Sequence, residues 1–571
     1  MPNMPTYAEV KAQLTAPGGP FEIAVEPVRG RPMQVYKDRM KALRQVCEIG
    51  GARGDQTFIV YGDREISFSE FVSLSNSVSP GLQKFGVGHG DRVAVLSQNN
   101  PEWCLTFWGT VNIGAILVGL NGWWTTDEIV YGLQDSGSRV LVADAKRFER
   151  IADHLDECPD LEHVFLIDAD PSSFGNDPRL HRYDELTTAP SSTMPDAPID
   201  EDDYAVIFYT SGTTGRPKGA ISTHRSMIAN LQNTIFNGVA GSMTGGGAIP
   251  QGPTQPVALF TSPLFHVSGC HSTLVVGLLA GLKLIMIEGR FEPQKALELI
   301  QDNGVTLWAT VPTMVWRVCE EPSRHDYDTS TVVSVAFGGS PSADELQRKV
   351  HETFPNVKST TNAYGLTESS SVATAIGGQD AIDKPNSVGP PVPTLELAIR
   401  DEKGNEVPAG QTGEVTMYGP LIMAGYWNKP EATADTVRDG WLYTGDIGYV
   451  DADGFLYITD RKKDMIIRGG ENIYCVEIEN RLVENPAIAD AAVIGVPHPE
   501  LGEEVKAVVQ VEPGYTLTED EVRDWVRETL ANFKVPTYVE IVHDKLPRNA
   551  SGKLLKNVLR GEGEVSFAET M

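Results

Sequence analysis

Cysteine is scarce in this sequence, six residues in 571, and Cys47, Cys104, Cys158, Cys270, Cys319 and Cys475 never fall in a C-x-x-C pair. That spacing argues against a disulfide framework or a cysteine zinc site and predicts reduced thiols in a cytosol. A long apolar run is missing too. The most apolar stretch, Leu274 to Ile287, is broken by Gly281 and Lys283 and is too short to span a bilayer, so it predicts a buried helix followed by a strand. The first residues lack a basic start followed by an apolar core, and the last five, FAETM, are not a peroxisomal address; the expected location is the cytoplasm. Positive charge is in deficit, with 47 Lys and Arg against 77 Asp and Glu and a net charge of -30. Such a field repels phosphate backbones and anionic lipid, which excludes nucleic acid and membrane surfaces as expected partners. An anionic substrate therefore needs a local basic pocket. No internal repeat of fixed period is found, which excludes a solenoid or propeller.

What is present suits a large enzyme. A 41% apolar chain of this length can bury at least one large core and predicts roughly two to four domains. From about Thr57, short β-branched runs alternate with amphipathic stretches, the pattern of parallel sheets covered by helices. Arg92–Gln98, Arg139–Asp144 and Tyr204–Thr210 are predicted strands, and Glu102–Val118, Pro293–Asn303 and Ser342–Phe354 predicted helices. Pro190–Asp203 and Gly238–Pro256 are predicted surface loops. From Gly389 to Tyr457 short strands with glycine turns suggest a small β-barrel-like subdomain, and from Asp460 a last unit alternates helix and strand by itself. The expected fold class is α/β: a large N-terminal domain, residues 1–459, built of α/β subdomains plus the small β subdomain, followed by a small mobile α+β domain, residues 460–571.

Directly after the strand Tyr204–Thr210 comes SGTTGRPKG, Ser211 to Gly219. Glycines let a backbone approach an anion, Ser211, Thr213 and Thr214 can donate hydrogen bonds, and Lys218 can neutralise charge, a composition suited to polyphosphate. It is not a Walker loop, because the lysine precedes Gly219 and Ala220 and not a hydroxyl residue. An ordinary turn asks for similar residues. The full string YTSGTTGRPKG, however, resembles the signature of the adenylate-forming superfamily, which comprises acyl-CoA synthetases, amino-acid adenylation domains and luciferases. PLFHVSG (263–269), FGGSP (337–341), NAYGLTES (362–369), WLYTGDIG (441–448), DRKKDMIIRGGENIY (460–474) and PRNASGK (547–553) follow in the family's order. The resemblance spans Thr57 to Arg560 and is nearest to acyl-CoA synthetases.

The resemblance implies an ATP site made from Thr210, Ser211, Gly212, Thr213, Thr214, Gly215 and Lys218, from Gly339 and Ser340, and from Asn362, Ala363, Tyr364, Gly365 and Thr367. Tyr364 would stack on adenine, Thr367 would meet the α-phosphate, and Glu368 would hold magnesium, a hard cation that prefers carboxylate oxygen. Asp446 would accept the ribose hydroxyls and Arg461 would approach ribose or phosphates. Lys553 would bridge acid and α-phosphate; with Thr214, His266 and Glu368 it makes up the expected catalytic set. Lys463 aligns with an interdomain pivot, and Gly469 and Gly470 would open a tunnel for the pantetheine arm of CoA. His266 would gate the acid pocket, lined by Cys270, His271, Val311, Met314 and Gly338. A histidine offers no fixed charge for an α-ammonium group, which favours acids without an α-amine. The expected activity is ATP-dependent activation of an apolar carboxylic acid (medium or long-chain fatty, aryl or steroid side chain) as an acyl-adenylate with release of pyrophosphate, then transfer to CoA. Transfer to a carrier protein or an amine is the alternative. ATP, Mg2+ and coenzyme A are the expected cofactors and co-substrates, with a homodimer left open.

Overall fold

Alternation along the strands sets the two faces of the first sheet. In Arg92–Leu96, Val93 and Val95 point into one core cluster and Ala94 and Leu96 into another; in Val140–Asp144, Val140 and Val142 oppose Leu141 and Ala143 in the same way. Both faces are therefore buried, as a mostly parallel sheet requires. The computed structural model describes residues 5–187, 193–210, 216–244, 254–338, 344–357, 360–469, 471–548 and 554–561. They fall into two units, one of Met1–Gly339, Lys349–Leu397 and Met417–Leu442, the other of Ser340–Arg348, Ala398–Thr416 and Tyr443–Met571.

The first unit holds two sheets. The seven-stranded one runs, in spatial order, Lys218–Thr223, Tyr204–Thr210, Ile116–Gly119, Arg92–Leu96, Val140–Asp144, His163–Ile167 and Leu180–Arg182, all parallel except the first strand. The eight-stranded one runs Ser371–Ile376, Thr361–Leu366, Ser334–Gly338, Leu307–Thr310, Val257–Phe260, Lys283–Met286, Thr57–Tyr61 and Arg64–Ser67, parallel but for its two edges. One apolar cluster joins residues of both sheets, such as Val95 and Phe260, with Trp103, Phe107 and Trp108 of the helix Pro101–Val111. Every residue of that helix is buried, which explains why its sequence is mostly apolar, and its Glu102 is paired with Arg64 at 2.9 Å. Asn100 caps it by accepting the Trp103 N–H at 2.8 Å, and Pro101 occupies its first position.

The second unit carries a hairpin of Trp441–Val450 and Leu456–Arg461, with Asp446 opposite Arg461, and a sheet ordered Glu471–Ile473, Ile466–Arg468, Gly502–Val511 and Ile488–His498. Tyr538–Val542 pairs parallel to Gly502–Val511. The helices Cys475–Val483 and Glu519–Arg527 contribute Ile478, Leu482, Val522 and Val526 to the core on this sheet.

Two sequence expectations need correction. The helix expected over Glu102–Val118 ends at Val111, and Ile116–Gly119 is a central strand. Gly114 takes φ 72°, and Gly90 N–H donates to its carbonyl, so the chain reverses between the two elements. The loop expected from Gly238 starts later, because the helix His224–Met243 continues through it. Among the described residues no helix is long and apolar enough to cross a membrane, and all six cysteines are buried with free thiols.

Candidate active site

Two antiparallel strands flank the phosphate string. Thr210 ends one strand, Lys218 opens the next, and the two are register partners. Ser211, Gly212, Thr213, Thr214 and Gly215, between them in sequence, lie outside the described residues, as do Gly339, Ser340, Gly470 and Lys553. The Lys218 ammonium sits 5.3 Å from the centre of the Tyr426 ring, within reach of a cation–π contact. The phenol of Tyr426 donates to Glu368 Oε1 at 2.7 Å. The lysine of the phosphate string and the glutamate expected to hold magnesium thus meet on one tyrosine.

The adenine string occupies the strand Thr361–Leu366, parallel to Ser334–Gly338, with Gly338 opposite Ala363 and Phe337 opposite Asn362. Asn362 Nδ2 donates to the Ser387 carbonyl at 3.4 Å, and Tyr364 is half-buried. The two glycines here differ in kind. A Cβ on Gly365 would lie 1.6 Å from the Ser371 carbonyl oxygen, so close backbone approach explains this glycine whether or not it meets nucleotide. Among the described residues, a Cβ on Gly338 would find only the Ala363 oxygen at 3.6 Å, an ordinary contact, so their packing does not ask for glycine at 338.

After this strand, Thr367–Ser369 makes a short 3-10 turn carrying Glu368. Ser370 follows with φ 51° and works as a hub. Its hydroxyl lies 3.2 Å from that of Ser222, on the strand begun by Lys218, and its carbonyl lies 3.2 Å from His271 Nδ1. The segment expected to line the acid pocket is thereby tied to the phosphate site. Cys270 and His271 sit on a widened π-helical turn, Cys270–Val275, of the kind often found at functional sites. Both are buried, and His271 stacks on Phe208 with ring centres 5.4 Å apart. His266 is half-buried beside Phe265, ring centres 4.8 Å apart. Loss of hydration pushes both imidazoles down to about 4, which keeps them neutral at ordinary pH. Met314 is buried in the helix Pro312–Cys319, and Val311 is half-buried at its N-cap.

In the second unit, Asp446 is buried at 3% exposure and its Oδ1 lies 3.0 Å from Arg461 Nε across the hairpin. The residue beside Arg461, Asp460, accepts the N–H groups of Arg461 and Cys475, and the latter begins the helix Cys475–Val483. Burial raises the Asp460 carboxyl to about 6 against the pull of the Lys556 ammonium. Lys463 is exposed in the turn that follows. Gly469 takes φ 60° and its N–H donates to the Leu501 carbonyl at 2.8 Å, so turn geometry accounts for this glycine.

Tyr426 and Ser370 are the site residues that the sequence reading passed over. Tyr426 stands 58 residues from Glu368 and sits in AGYWNKP, a string that carries no phosphate chemistry of its own. The antiparallel bridge from Ala220 to Tyr426 and the backbone bonds beside it bring it to the strand that Lys218 opens.

Glu368 fits magnesium by the chemistry of its donor set: a hard carboxylate, half-buried and oriented by a phenol, beside a lysine suited to phosphate. A lysine at a strand start, an aromatic residue on a neighbouring sheet's strand and an oriented carboxylate suit a nucleotide on an α/β enzyme fold. The comparisons are more specific. The AMP-binding enzyme family matches residues 48–427, and the AMP-binding enzyme C-terminal domain matches residues 477–553. A feruloyl-CoA synthase from Amycolatopsis sp. is 34% identical over 507 residues, 88% of this chain and 95% of that protein. A long-chain-fatty-acid–CoA ligase from Bacillus subtilis is 32% identical over 551 residues, 91% of this chain and 94% of that one. The structure of o-succinylbenzoate CoA synthetase from Bacillus subtilis with its acyl-adenylate intermediate is similar at a TM-score of 0.76 and 28% identity, covering 92% of this chain and 98% of that one. The chain belongs to the AMP-binding enzyme family. Within it, this protein is an adenylate-forming acid:CoA ligase that uses ATP, magnesium and CoA.

Proposed function

We propose that the acid is an apolar carboxylic acid without an α-amine, aryl or fatty, and that the ligase acts on it in the cytoplasm. The observation that carries this reading is the character of the segment tied to the phosphate site through Ser370. Cys270 and Met314 are buried, and His266 and His271 are held neutral. Such a lining offers no fixed charge to an ammonium group and suits a hydrophobic acyl chain or ring. Relatives that act on ferulic and long-chain fatty acids agree with that class.

In this reading a carboxylate oxygen attacks the α-phosphorus of ATP, a P–O bond forms, and pyrophosphate leaves. The sulfur of CoA then attacks the acyl carbon, the thiol proton passes to solvent, and AMP leaves. Lys218 and the phosphate string with Thr214 neutralise phosphate charge, a task of electrostatic stabilisation. Glu368 holds the magnesium that accompanies the nucleotide. Tyr364 stacks on adenine, Asp446 accepts the ribose diol, and Arg461 orients Asp446. Lys553 bridges acid and α-phosphate. Residues 1–459 and 460–571 act as two domains about a pivot at Lys463, and Gly469 and Gly470 line the approach of CoA.

A panel of acids tests the proposal: hydroxycinnamates, benzoates, medium and long fatty acids, and amino acids, each followed by pyrophosphate release with and without CoA. The reading expects apolar acids to turn over and amino acids to be inert. Preference for an amino acid would overturn it. Supplying an amine or a carrier protein in place of CoA separates the alternative acceptors.

A further inference from the structure

We infer that Tyr426 is a positioning residue for adenylation, fixing through one side chain both the carboxylate that holds magnesium and the lysine that meets the phosphates. This rests on the roles proposed for Glu368 and Lys218 and goes beyond them, because Tyr426 itself touches neither acid nor nucleotide in that scheme.

The backbone holds the tyrosine from three sides. Ala424 N–H donates to the Ile221 carbonyl at 3.0 Å, Ile221 N–H to Gly425 at 3.0 Å, and Trp427 N–H to Gly219 at 2.8 Å. Residues 424–427 thus pair antiparallel alongside the strand that Lys218 opens. Tyr426 N–H donates to Thr433 Oγ1 at 2.8 Å, and Met423 N–H donates to the Glu368 carbonyl at 2.8 Å. The same short segment therefore grips the Glu368 backbone and the strand residues that directly follow Lys218 before the side chains are considered.

The side chain then acts at both ends. Its ring lies under the Lys218 ammonium, and its hydroxyl donates to Glu368 Oε1. The residue is only 9% exposed. Thr436 is a further hydrogen-bond partner of the phenol. A phenol donating this bond fixes the rotamer of a carboxylate without competing for a cation. It orients Glu368 in a way water would not.

The test is Tyr426→Phe, which keeps the ring and removes the donor. ATP–pyrophosphate exchange is measured against free Mg2+, alongside thioester formation from supplied acyl-adenylate and a direct titration of Mn2+ onto the ATP-bound enzyme by electron paramagnetic resonance, which should weaken by the same factor as the Mg2+ dependence. The half-saturating Mg2+ concentration should rise about tenfold, the scale of one hydrogen bond to a charged group. The maximal exchange rate and the second half-reaction should stay within about twofold, since one does not need the donor at saturating metal and the other needs no triphosphate. In a Glu368→Gln background the same substitution should add nothing to the metal dependence, whereas a merely structural phenol would cost the same in both backgrounds. Unchanged Mg2+ dependence in a folded Tyr426→Phe enzyme overturns the inference. If Glu368→Gln itself leaves the metal dependence unchanged, the magnesium role of Glu368 fails instead. Should Tyr426→Phe not fold, Thr436→Val loosens the same phenol; a smaller rise in the Mg2+ requirement supports the inference and none overturns it.

Discussion

His224 illustrates how a single buried side chain sets a condition on the whole fold. It is 0% exposed, and its Nδ1 accepts the Leu43 N–H at 3.2 Å, a bond that protonation would destroy. Burial pushes it from 6.5 down to about 4, with Asp203 opposing. Between those values the unfolded chain binds a proton that the folded chain does not. Its stabilisation is therefore complete above pH 6.5 and drains away as pH falls toward 4. His266 and His271 act in the same direction, while Asp460, raised by burial, acts against them below about 6. Denaturant unfolding from pH 7 to 4.5 should show falling stability, and His224→Gln should flatten that slope by up to about 1.4 kcal/mol per pH unit. An unchanged slope would mean that His224 is not held neutral. At this scale the sequence singles out residues that stand inside a motif, as Glu368 and Tyr364 do. It was not legible for Tyr426, whose role exists only through a partner distant in sequence.

Among elements, the junction of the strands Ser334–Gly338 and Thr361–Leu366 separates packing from function most cleanly. Gly365 faces the Ser371 carbonyl at a distance no Cβ can occupy, and the obstacle is backbone, which cannot rotate away. Gly365→Ala should cost about 3 kcal/mol or more in denaturant unfolding, the upper range for overpacking. Gly338→Ala should cost less than about 1 kcal/mol, because its new Cβ meets an ordinary contact. The same change should shift acid preference toward smaller acids in the pyrophosphate assay. The sequence signals both glycines alike, and only the neighbouring strand tells them apart. A similar limit explains the expected helix that ran on to Val118. Ile116–Gly119 is buried on both faces, so its apolar run lacks the alternation that marks a half-exposed strand, and it merges with the apolar helix before it. The positive φ at Gly114 is the break, and Asn112–Gly114 was the available signal. Strands bounded by clear turns, such as Tyr204–Thr210, were readable in full.

For the molecule as a whole, the order of motifs conveyed the α/β architecture and the ligase class together. Where the chain divides functionally was less readable. The charged string from Asp460 suggests a boundary, yet Asp460 and Arg461 still belong to the hairpin strand Leu456–Arg461, and Asp460 also caps the next helix. If Lys553 serves adenylation alone, the two half-reactions separate. Lys553→Ala should lower ATP–pyrophosphate exchange by at least about a hundredfold, the lower end for loss of one transition-state electrostatic contact. Thioester formation from supplied acyl-adenylate should remain within about threefold, well short of the loss expected for a contact used in that step. Equal loss in both would refute the assignment.

The account depends most on the acid oxygen becoming bonded to the α-phosphorus. The direct measurement uses an apolar acid carrying 18O in its carboxylate, incubated with ATP, Mg2+ and CoA, with AMP and pyrophosphate analysed by mass spectrometry. The account predicts one labelled oxygen in AMP and none in pyrophosphate. Unlabelled AMP, or formation of ADP with the label in inorganic phosphate, would contradict it.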